Sequence, residues 1–305
     1  MVNSNKSLNP SMKRRERLEQ ESRLAKLYLV KLGKLPISKK HNMKIYHALA
    51  ASALFFLLGC QSGGIFLFSV QDDIKLGQQV DAEIEADPNI IILEETQYTE
   101  AYAYLNTMKE MILETGEVRY REEFPWELHI VYDDEVLNAF ATPGGFIYIY
   151  TGLIHYLDDA SSLAGVLGHE IAHADNRHSS RQIQKQFGIQ LLFEILTGGD
   201  PGTLAQIASS LWALSFSRSD ETDADNASVR YLCETPFNAD GAANFFQKII
   251  DEGSPNPPQF LSTHPNPENR VENIQEEASI ENCETEVVEP LVDGRTYAEF
   301  RMLLP

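Results

Sequence analysis

The apolar residues of this chain recur every three or four positions over long stretches, and this spacing predicts amphipathic helices. Helices are predicted over 72–87, 95–116, 158–178, 181–197, 203–233, 239–252 and 268–277. Two other stretches, 126–132 and 146–151, are rich in β-branched and aromatic residues and predict strands. The residues between them, 138–145, are rich in turn formers and predict a loop. The pattern therefore predicts an α+β domain that is mainly helical and contains a small β-sheet.

An apolar run of 14 residues, 45–58, follows Met43 and Lys44 and leads directly to Cys60. The run is short for a membrane span but suits the hydrophobic core of a signal peptide. Its end, Leu-Leu-Gly-Cys, resembles the bacterial lipoprotein processing box, so Cys60 is predicted to be lipidated. A buried helix with an incidental cysteine is the alternative.

This interpretation divides the N-terminal region into three segments. Residues 1–42 are predicted to be a leader or the product of a start codon assigned too early, 43–59 the signal peptide, and 60–71 the lipidated cysteine with its tether. The chain is then exported and anchored to a membrane. Gln61 is not the aspartate that resembles an inner-membrane retention signal, so the periplasmic face of the outer membrane is favoured in a host with two membranes.

Charge and cysteine content change this picture little. The formal net charge is −20, and residues 1–59 hold 12 Lys/Arg but only 3 Asp/Glu, so the remainder is strongly acidic. Such a surface repels nucleic acid, and no nucleic-acid partner is expected. Cys233 and Cys283 form a possible disulfide in an oxidising compartment, with two unpaired buried thiols as the alternative.

The candidate chemistry centres on the sequence His-Glu-Ile-Ala-His at 169–173. On a helix, positions i and i+4 share one face, so His169 and His173 can bind one Zn²⁺ ion while Glu170 stands beside it as a catalytic base. A structural pair of histidines is the alternative. The apolar neighbours predict a buried helix, in which two imidazoles and a carboxyl need a compensating partner.

A catalytic zinc ion takes three protein ligands, so a third is expected from another helix. Glu221 and Asp225 are again four residues apart, within 217–225. We predict that Glu221 is the third ligand and that Asp225 forms a hydrogen bond with a ligand imidazole, His169. Plain solvent exposure of these acids is the alternative.

Four elements in this order resemble the gluzincin metallopeptidases, the family of the CAAX-prenyl protease and the heat-shock protease HtpX. They are the segment 138–153, the H-E-x-x-H helix, the S-R-x-x-E-x-x-A-D helix at 217–225, and Thr-His-Pro at 263–265 with Arg270. The likeness spans about 75–280 and is nearest to periplasmic lipoprotein members. It implies a zincin-type metallopeptidase domain over 72–282, with the sheet above the active-site helix. The remaining residues, 283–305, are acidic and mixed in composition and are predicted to be a C-terminal tail.

The resemblance also implies two opposite roles for His264. The imidazole either stabilises the oxyanion that forms during peptide hydrolysis or plugs the fourth zinc position. A plain loop residue is a third interpretation. Arg270 either positions this loop or binds a carboxylate.

Substrate binding is expected at the strand 146–151. An exposed strand edge accepts an extended peptide through main-chain hydrogen bonds, so Phe146, Ile147 and Tyr148 are candidate binding residues, with Asn138 as an anchor for the peptide backbone. The expected function is proteolysis of unfolded or misassembled envelope proteins. A periplasmic chaperone or assembly factor for outer-membrane proteins, with a plugged protease site, is the alternative, and the outer-membrane assembly machinery is then a further partner.

Overall fold

The computed structural model describes residues 68–198, 201–211, 214–253, 258–265, 267–285 and 289–305. The predicted signal peptide, the lipidated Cys60 and the tether up to residue 67 lie outside these ranges, so they stay predictions. Among the described residues, no helix combines the length and the apolar character that crossing a membrane requires.

Helices form most of the described chain, which agrees with the predicted fold class. Their bounds are α1 Val70–Ala86, α2 Thr99–Leu113, α3 Thr151–Tyr156, α4 Ala160–Asp175, α5 His178–Phe187, α6 Ile189–Leu196, α7 Pro201–Ser210, α8 Arg218–Leu232, α9 Gly241–Glu252, α10 Phe260–Thr263, α11 Pro267–Glu281 and α12 Tyr297–Arg301. The central helix is α4, which is buried along its whole length and packs against α8, α9 and the sheet.

The sheet has three strands, β1 (Leu128–Val131), β2 (Ala139–Ala141) and β3 (Ile147–Tyr150), in the order β1-β3-β2. Strand β3 is parallel to β1 and antiparallel to β2. Two predictions are therefore wrong. Residues 139–141 are a strand within the predicted loop, and β3 is the central strand rather than an exposed edge. Among the described strands, β2 is the edge that packs against α4.

The bounds of α4 follow from local chemistry. Asp159 is the N-cap and accepts a hydrogen bond of 2.8 Å from the backbone N–H of Ser162. The helix ends at Asp175, earlier than predicted, because Arg177 adopts a left-handed conformation with φ of 59°. The chain turns there, and α5 begins at His178.

Two long predicted helices are each divided in the structure. The helix expected over 181–197 is interrupted at Gly188, whose φ of 82° ends α5. The helix expected over 203–233 is interrupted before Ser217, which caps α8 in a capping box with Asp220. Residues 214–217 lie outside helices and strands, and Phe216 among them stacks on His173 at a centroid distance of 4.0 Å.

The segment 283–305, expected as an acidic tail, contributes to the main core. Tyr297 and Phe300 on α12 are fully buried, and the Phe300 ring stacks on Tyr104 of α2 at a centroid distance of 4.1 Å. Cys233 and Cys283 form a disulfide that joins the ends of α8 and α11, so the predicted pairing is present. The acidic composition of the segment predicts exposure, although Tyr297 and Phe300 within it are buried.

Candidate metal centre

Four side chains meet at the centre of the domain. His169 and His173 lie one turn apart on α4, Glu221 lies in the first turn of α8, and His264 follows α10. The two Nε2 atoms of His169 and His173 are 2.9 Å apart; Oε2 of Glu221 lies 3.6 Å from the first, and Oε1 lies 3.5 Å from the second. All four are buried, and their potential ligand atoms lie within 4.8 Å of one another.

Contacts on the far side of each ring turn both Nε2 atoms toward this centre. The Nδ1 atom of His169 is 2.9 Å from Oδ1 of Asp225, the contact predicted from the sequence. The Nδ1 atom of His173 is 3.0 Å from Nδ1 of His178, a residue whose role is not predicted from the sequence. Burial lowers the pKa of His178, so its ring is neutral.

The charges around the centre favour a divalent cation. Glu170, Glu221 and Asp225 are three buried carboxyl groups, and Arg270 is the buried cation beside them. Arg270 lies 2.7 Å from Glu221 and 2.5 Å from Asp225. With all three carboxylates ionised, these four side chains carry a net charge of −2, which one Zn²⁺ ion neutralises.

The pKa values of Glu221 and Asp225 reflect the positive charges beside them. Burial by itself raises the pKa of Glu221, but His264 and Arg270 together hold it well below its usual range. Burial likewise opposes ionisation of Asp225, and Arg270 overcomes it and lowers the pKa of that carboxyl. Both acids are therefore ionised. This suits Glu221 to bind a metal ion and Asp225 to accept a hydrogen bond from the Nδ1–H group of His169.

Glu170 differs from these two acids, because its neighbours do not offset the cost of burying its charge. Both of its carboxyl oxygens are buried without a well-formed hydrogen bond, and Nε2 of His264 lies 3.5 Å from Oε1. Burial raises its pKa to about 8, although the backbone N–H of Ala141 on β2 partly opposes this shift. A buried carboxyl that is left free beside three metal-binding groups can exchange a proton with a molecule bound there.

His264 occupies the remaining side of the centre. Its Nδ1 atom is 3.1 Å from Oε1 of Glu221 and 3.2 Å from Nε2 of His169. Phe260 stacks on the ring at a centroid distance of 4.2 Å, and the backbone N–H of Phe216 donates to the carbonyl of Thr263 over 3.1 Å. The imidazole therefore sits among the ligands, and two chain segments hold it there.

The predicted substrate-binding residues need correction. Phe146 precedes β3, and Ile147 and Tyr148 lie on it; all three are buried, and neighbouring strands occupy both edges of β3. These side chains are core residues, because the strand is central. Asn138, immediately before β2, is fully buried, and neither its amide nitrogen nor its amide oxygen has a hydrogen-bond partner.

Tyr148 belongs to a separate polar group on the other side of the sheet. Its hydroxyl donates a hydrogen bond to Asp81 of α1, and its ring stacks on Phe140 at 4.7 Å. His129 Nε2 lies 3.0 Å from the same Asp81 carboxylate, with Glu127 nearby at the surface. Burial opposes ionisation of Asp81, but hydrogen bonds from His129 and Tyr148 lower its pKa.

Comparisons with known proteins agree with this geometry. The family described as Peptidase family M48 matches residues 102–278. The beta-barrel assembly-enhancing protease of Yersinia pestis is 30% identical over 194 residues, which cover 58% of this chain and 38% of that protein. The protein of that name from Escherichia coli (strain K12) is 31% identical over 172 residues, 51% of this chain and 35% of the relative.

A eukaryotic relative gives a similar result. The mitochondrial metalloendopeptidase OMA1 of Arabidopsis thaliana is 31% identical over 163 residues, which cover 52% of this chain and 33% of that protein. This chain thus matches between 33% and 38% of the length of these three relatives.

The donor set gives an independent test of the metal. Two imidazole nitrogens and one carboxylate are ligands that zinc takes in catalytic sites, and the group at His169, His173, Glu221 and His264 is able to hold the ion. The predictions of a zincin-type fold, of a metallopeptidase and of Zn²⁺ as its cofactor are confirmed. The family match covers more than half of the sequence, and the chain belongs to Peptidase family M48.

Proposed function

We propose that this chain is a zinc-dependent endopeptidase that degrades unfolded or misassembled envelope proteins. The observation that carries the proposal is the free, buried carboxyl of Glu170 beside His169, His173 and Glu221. When bound, zinc supplies a Lewis acid that activates water and polarises a carbonyl group. Glu170 then takes a proton from the attacking water on a carboxylate oxygen and passes it to the leaving nitrogen.

The environment of Glu170 suits both halves of this proton transfer. Burial raises its pKa to about 8 in the protein without metal, which makes the carboxylate a stronger base than one in water. A nearby divalent cation favours the ionised form, so the group can start the cycle as a base. Once protonated, it is an acid of matched strength for the amine.

The peptide is expected to bind at β2 rather than at β3. Strand β2 is the sheet edge beside α4, and Asn138 at its start carries a buried amide without hydrogen-bond partners. An extended peptide that pairs with this edge can satisfy that amide. Ser179 Oγ already donates to the carbonyl of Ala141 over 2.7 Å, so the pairing is confined to the Asn138 end of β2.

The proposed location follows from the N-terminal sequence and from the relatives. The predicted signal peptide and lipidation at Cys60 support export and a membrane anchor at the periplasmic side of the outer membrane. Two relatives are named beta-barrel assembly-enhancing proteases. These names support unfolded outer-membrane proteins as substrates and the assembly machinery as a partner of this chain.

Cleavage of casein by the purified protein with Zn²⁺ tests the assignment. Glu170→Gln should lower the rate by about 10²–10⁴-fold, because it removes the base and leaves the zinc ligands in place. Glu122→Gln, at an exposed glutamate that pairs with Arg121 and is not part of the metal-binding group, is the matched control. Equal activity of the Glu170 variant and the wild type would remove Glu170 from the mechanism.

A second candidate function is that of a binding or assembly factor whose protease site is normally plugged. The position of His264 favours it, because the imidazole lies within hydrogen-bond distance of two zinc ligands. His264→Ala should then raise casein cleavage, and a variant without any rise counts against a plug. A fall instead assigns His264 to stabilisation of the oxyanion.

The same variants separate cleavage from binding in cells. A deletion strain that carries Glu170→Gln should keep its envelope defect if degradation is the main task. Rescue of that defect by Glu170→Gln makes binding the main task and overturns the first proposal.

A further inference from the structure

His178 supports His173 in the way that Asp225 supports His169, but through a different residue type. Its ring is buried, and its Nδ1 atom lies 3.0 Å from Nδ1 of His173. The two rings meet at 72°, close to an edge-on arrangement, with a centroid distance of 4.9 Å. The sequence gives no helical reason for this contact, because His178 follows the left-handed turn at Arg177 that ends α4.

The proton positions on both rings follow from the geometry. The Nε2 atom of His173 faces His169 and Glu221, where a metal ligand carries no proton, so the ring proton lies on Nδ1. That N–H donates to Nδ1 of His178, which must accept with its lone pair. Because the Nδ1 lone pair of His178 is used in this hydrogen bond, the ring carries its proton on Nε2.

The Nε2 atom of His178 points toward a carboxylate. Oδ1 of Asp220 is 3.8 Å away, and Asp220 is held by the N-terminal capping box of α8 and by Arg181 at 3.5 Å. This negative charge favours a proton on the facing nitrogen. Helix α8 therefore supports both imidazoles of α4, His169 directly through Asp225 and His173 through His178.

We propose that His178 is a positioning residue that fixes the ring orientation and the Nδ1–H tautomer of His173 and thereby sets the zinc affinity of the centre. The inference rests on the zinc-peptidase site proposed above and deepens it. Hydrogen-bond partners of this kind typically contribute 10–100-fold to metal affinity. His178 contacts no metal-binding atom itself, so its effect passes through His173.

Two substitutions separate hydrogen bonding from space filling. His178→Leu fills a similar volume but cannot accept from His173, whereas His178→Gln keeps an acceptor oxygen and an N–H group. Zinc affinity is measured on the purified full chain by competition with a chromophoric chelator, and the thermal midpoint is measured on the same proteins without zinc. His155→Leu, at a partly exposed histidine outside the centre, is the control.

The expected result is that His178→Leu weakens zinc binding by about 10–100-fold, while His178→Gln restores most of the affinity. Both variants should have similar midpoints without zinc. Wild-type zinc affinity in His178→Leu overturns the proposal. Equal losses of affinity in both variants, in proportion to lost stability of the zinc-free protein, also overturn it.

A measurement on the unaltered protein decides the matter if the leucine variant does not fold. In ¹⁵N-labelled, zinc-loaded wild type, the Nδ1 proton of His173 should be protected from exchange with water by its hydrogen bond. A freely exchanging proton refutes the positioning role. None of these readouts uses cleavage, so an inactive protein with the expected zinc affinities refutes the proposed function alone.

Discussion

The disulfide between Cys233 and Cys283 ties together the two helices that supply the acidic and basic partners of the metal centre. Cys233 follows α8, which carries Glu221 and Asp225, and Cys283 follows α11, which carries Arg270. The bond closes a loop with a sequence separation of 50 residues. We predict that removing it mainly stabilises the unfolded chain and leaves the arrangement of the centre intact.

The size of the effect follows from the loop length. Cross-linking a loop of about 50 residues removes conformational entropy from the unfolded chain worth about 4 kcal/mol at 25 °C. For a domain of this size, each kcal/mol corresponds to about 2–4 °C in Tm. The expected fall in Tm is therefore about 8–16 °C, a large part of the stability of an ordinary domain.

Urea unfolding of the zinc-saturated protein, with and without a reductant that does not bind zinc, measures the free energy of unfolding in both states. The Cys233→Ser/Cys283→Ser protein is the matched control, because its stability should equal that of the reduced wild type and should not respond to reductant. Zinc affinity below the unfolding transition should change little, since Arg270 still holds both acids of α8.

A loss of less than 1 kcal/mol on reduction would refute this reasoning. It would mean that the unfolded chain is already restricted between the two cysteines, so that the bond removes little entropy. A loss of zinc affinity in the reduced, folded protein would instead show that the bond positions α8 against α11.

Three further predictions concern the core, the sheet and the metal. Phe300→Ala should lower the free energy of unfolding by about 3–5 kcal/mol in urea, because the ring is fully buried on Tyr104; a neutral effect would place 283–305 outside the core. The pKa of Asp81 is lower in the folded than in the unfolded chain, so its contribution is present above pH 3.8 and is lost as pH falls through the depressed pKa. Asp81→Asn should therefore flatten the acid limb of stability against pH, and an unchanged limb contradicts the assignment. Free zinc at about 1,000 times its Kd stabilises the folded chain by about 4 kcal/mol. Removing zinc with a chelator should therefore lower the Tm reversibly, and an unchanged Tm would contradict a resident ion.

The centre was largely predictable from sequence because its parts obey helical periodicity. His169 with His173, and Glu221 with Asp225, are pairs four residues apart, so each pair shares a face once the helices form. The chemistry of zinc then demands that the two faces meet.

The remaining contacts of the centre depend on breaks in that periodicity. His178 reaches His173 only because Arg177 turns the chain through a left-handed conformation, which no regular spacing indicates. Phe216 reaches the centre because α8 begins at the Ser217 capping box, a signal that was present in the sequence as S-x-x-D and was masked by the helical residues on both sides.

The order of the strands could not be predicted in the same way. The residues of β3 are buried on both faces, and a buried strand has the same composition whether it is central or at an edge. Its pairing depends on β1 and β2, and β2 lies within a segment whose alanines and glycines predict a loop. Non-local hydrogen bonds, rather than local propensity, fix this part of the fold.

The burial of Tyr297 and Phe300 has a consequence for how the molecule is made. A ribosome adds these residues long after α4, yet Phe300 stacks on Tyr104 of α2 and the Tyr297 hydroxyl donates to the carbonyl of Ile154 in α3. Until α12 has been synthesised, no Phe300 ring covers Tyr104 and the carbonyl of Ile154 lacks its Tyr297 donor. The part of the core between α2, α3 and α12 is therefore completed only after the ribosome has passed residue 300, late in the synthesis of the domain.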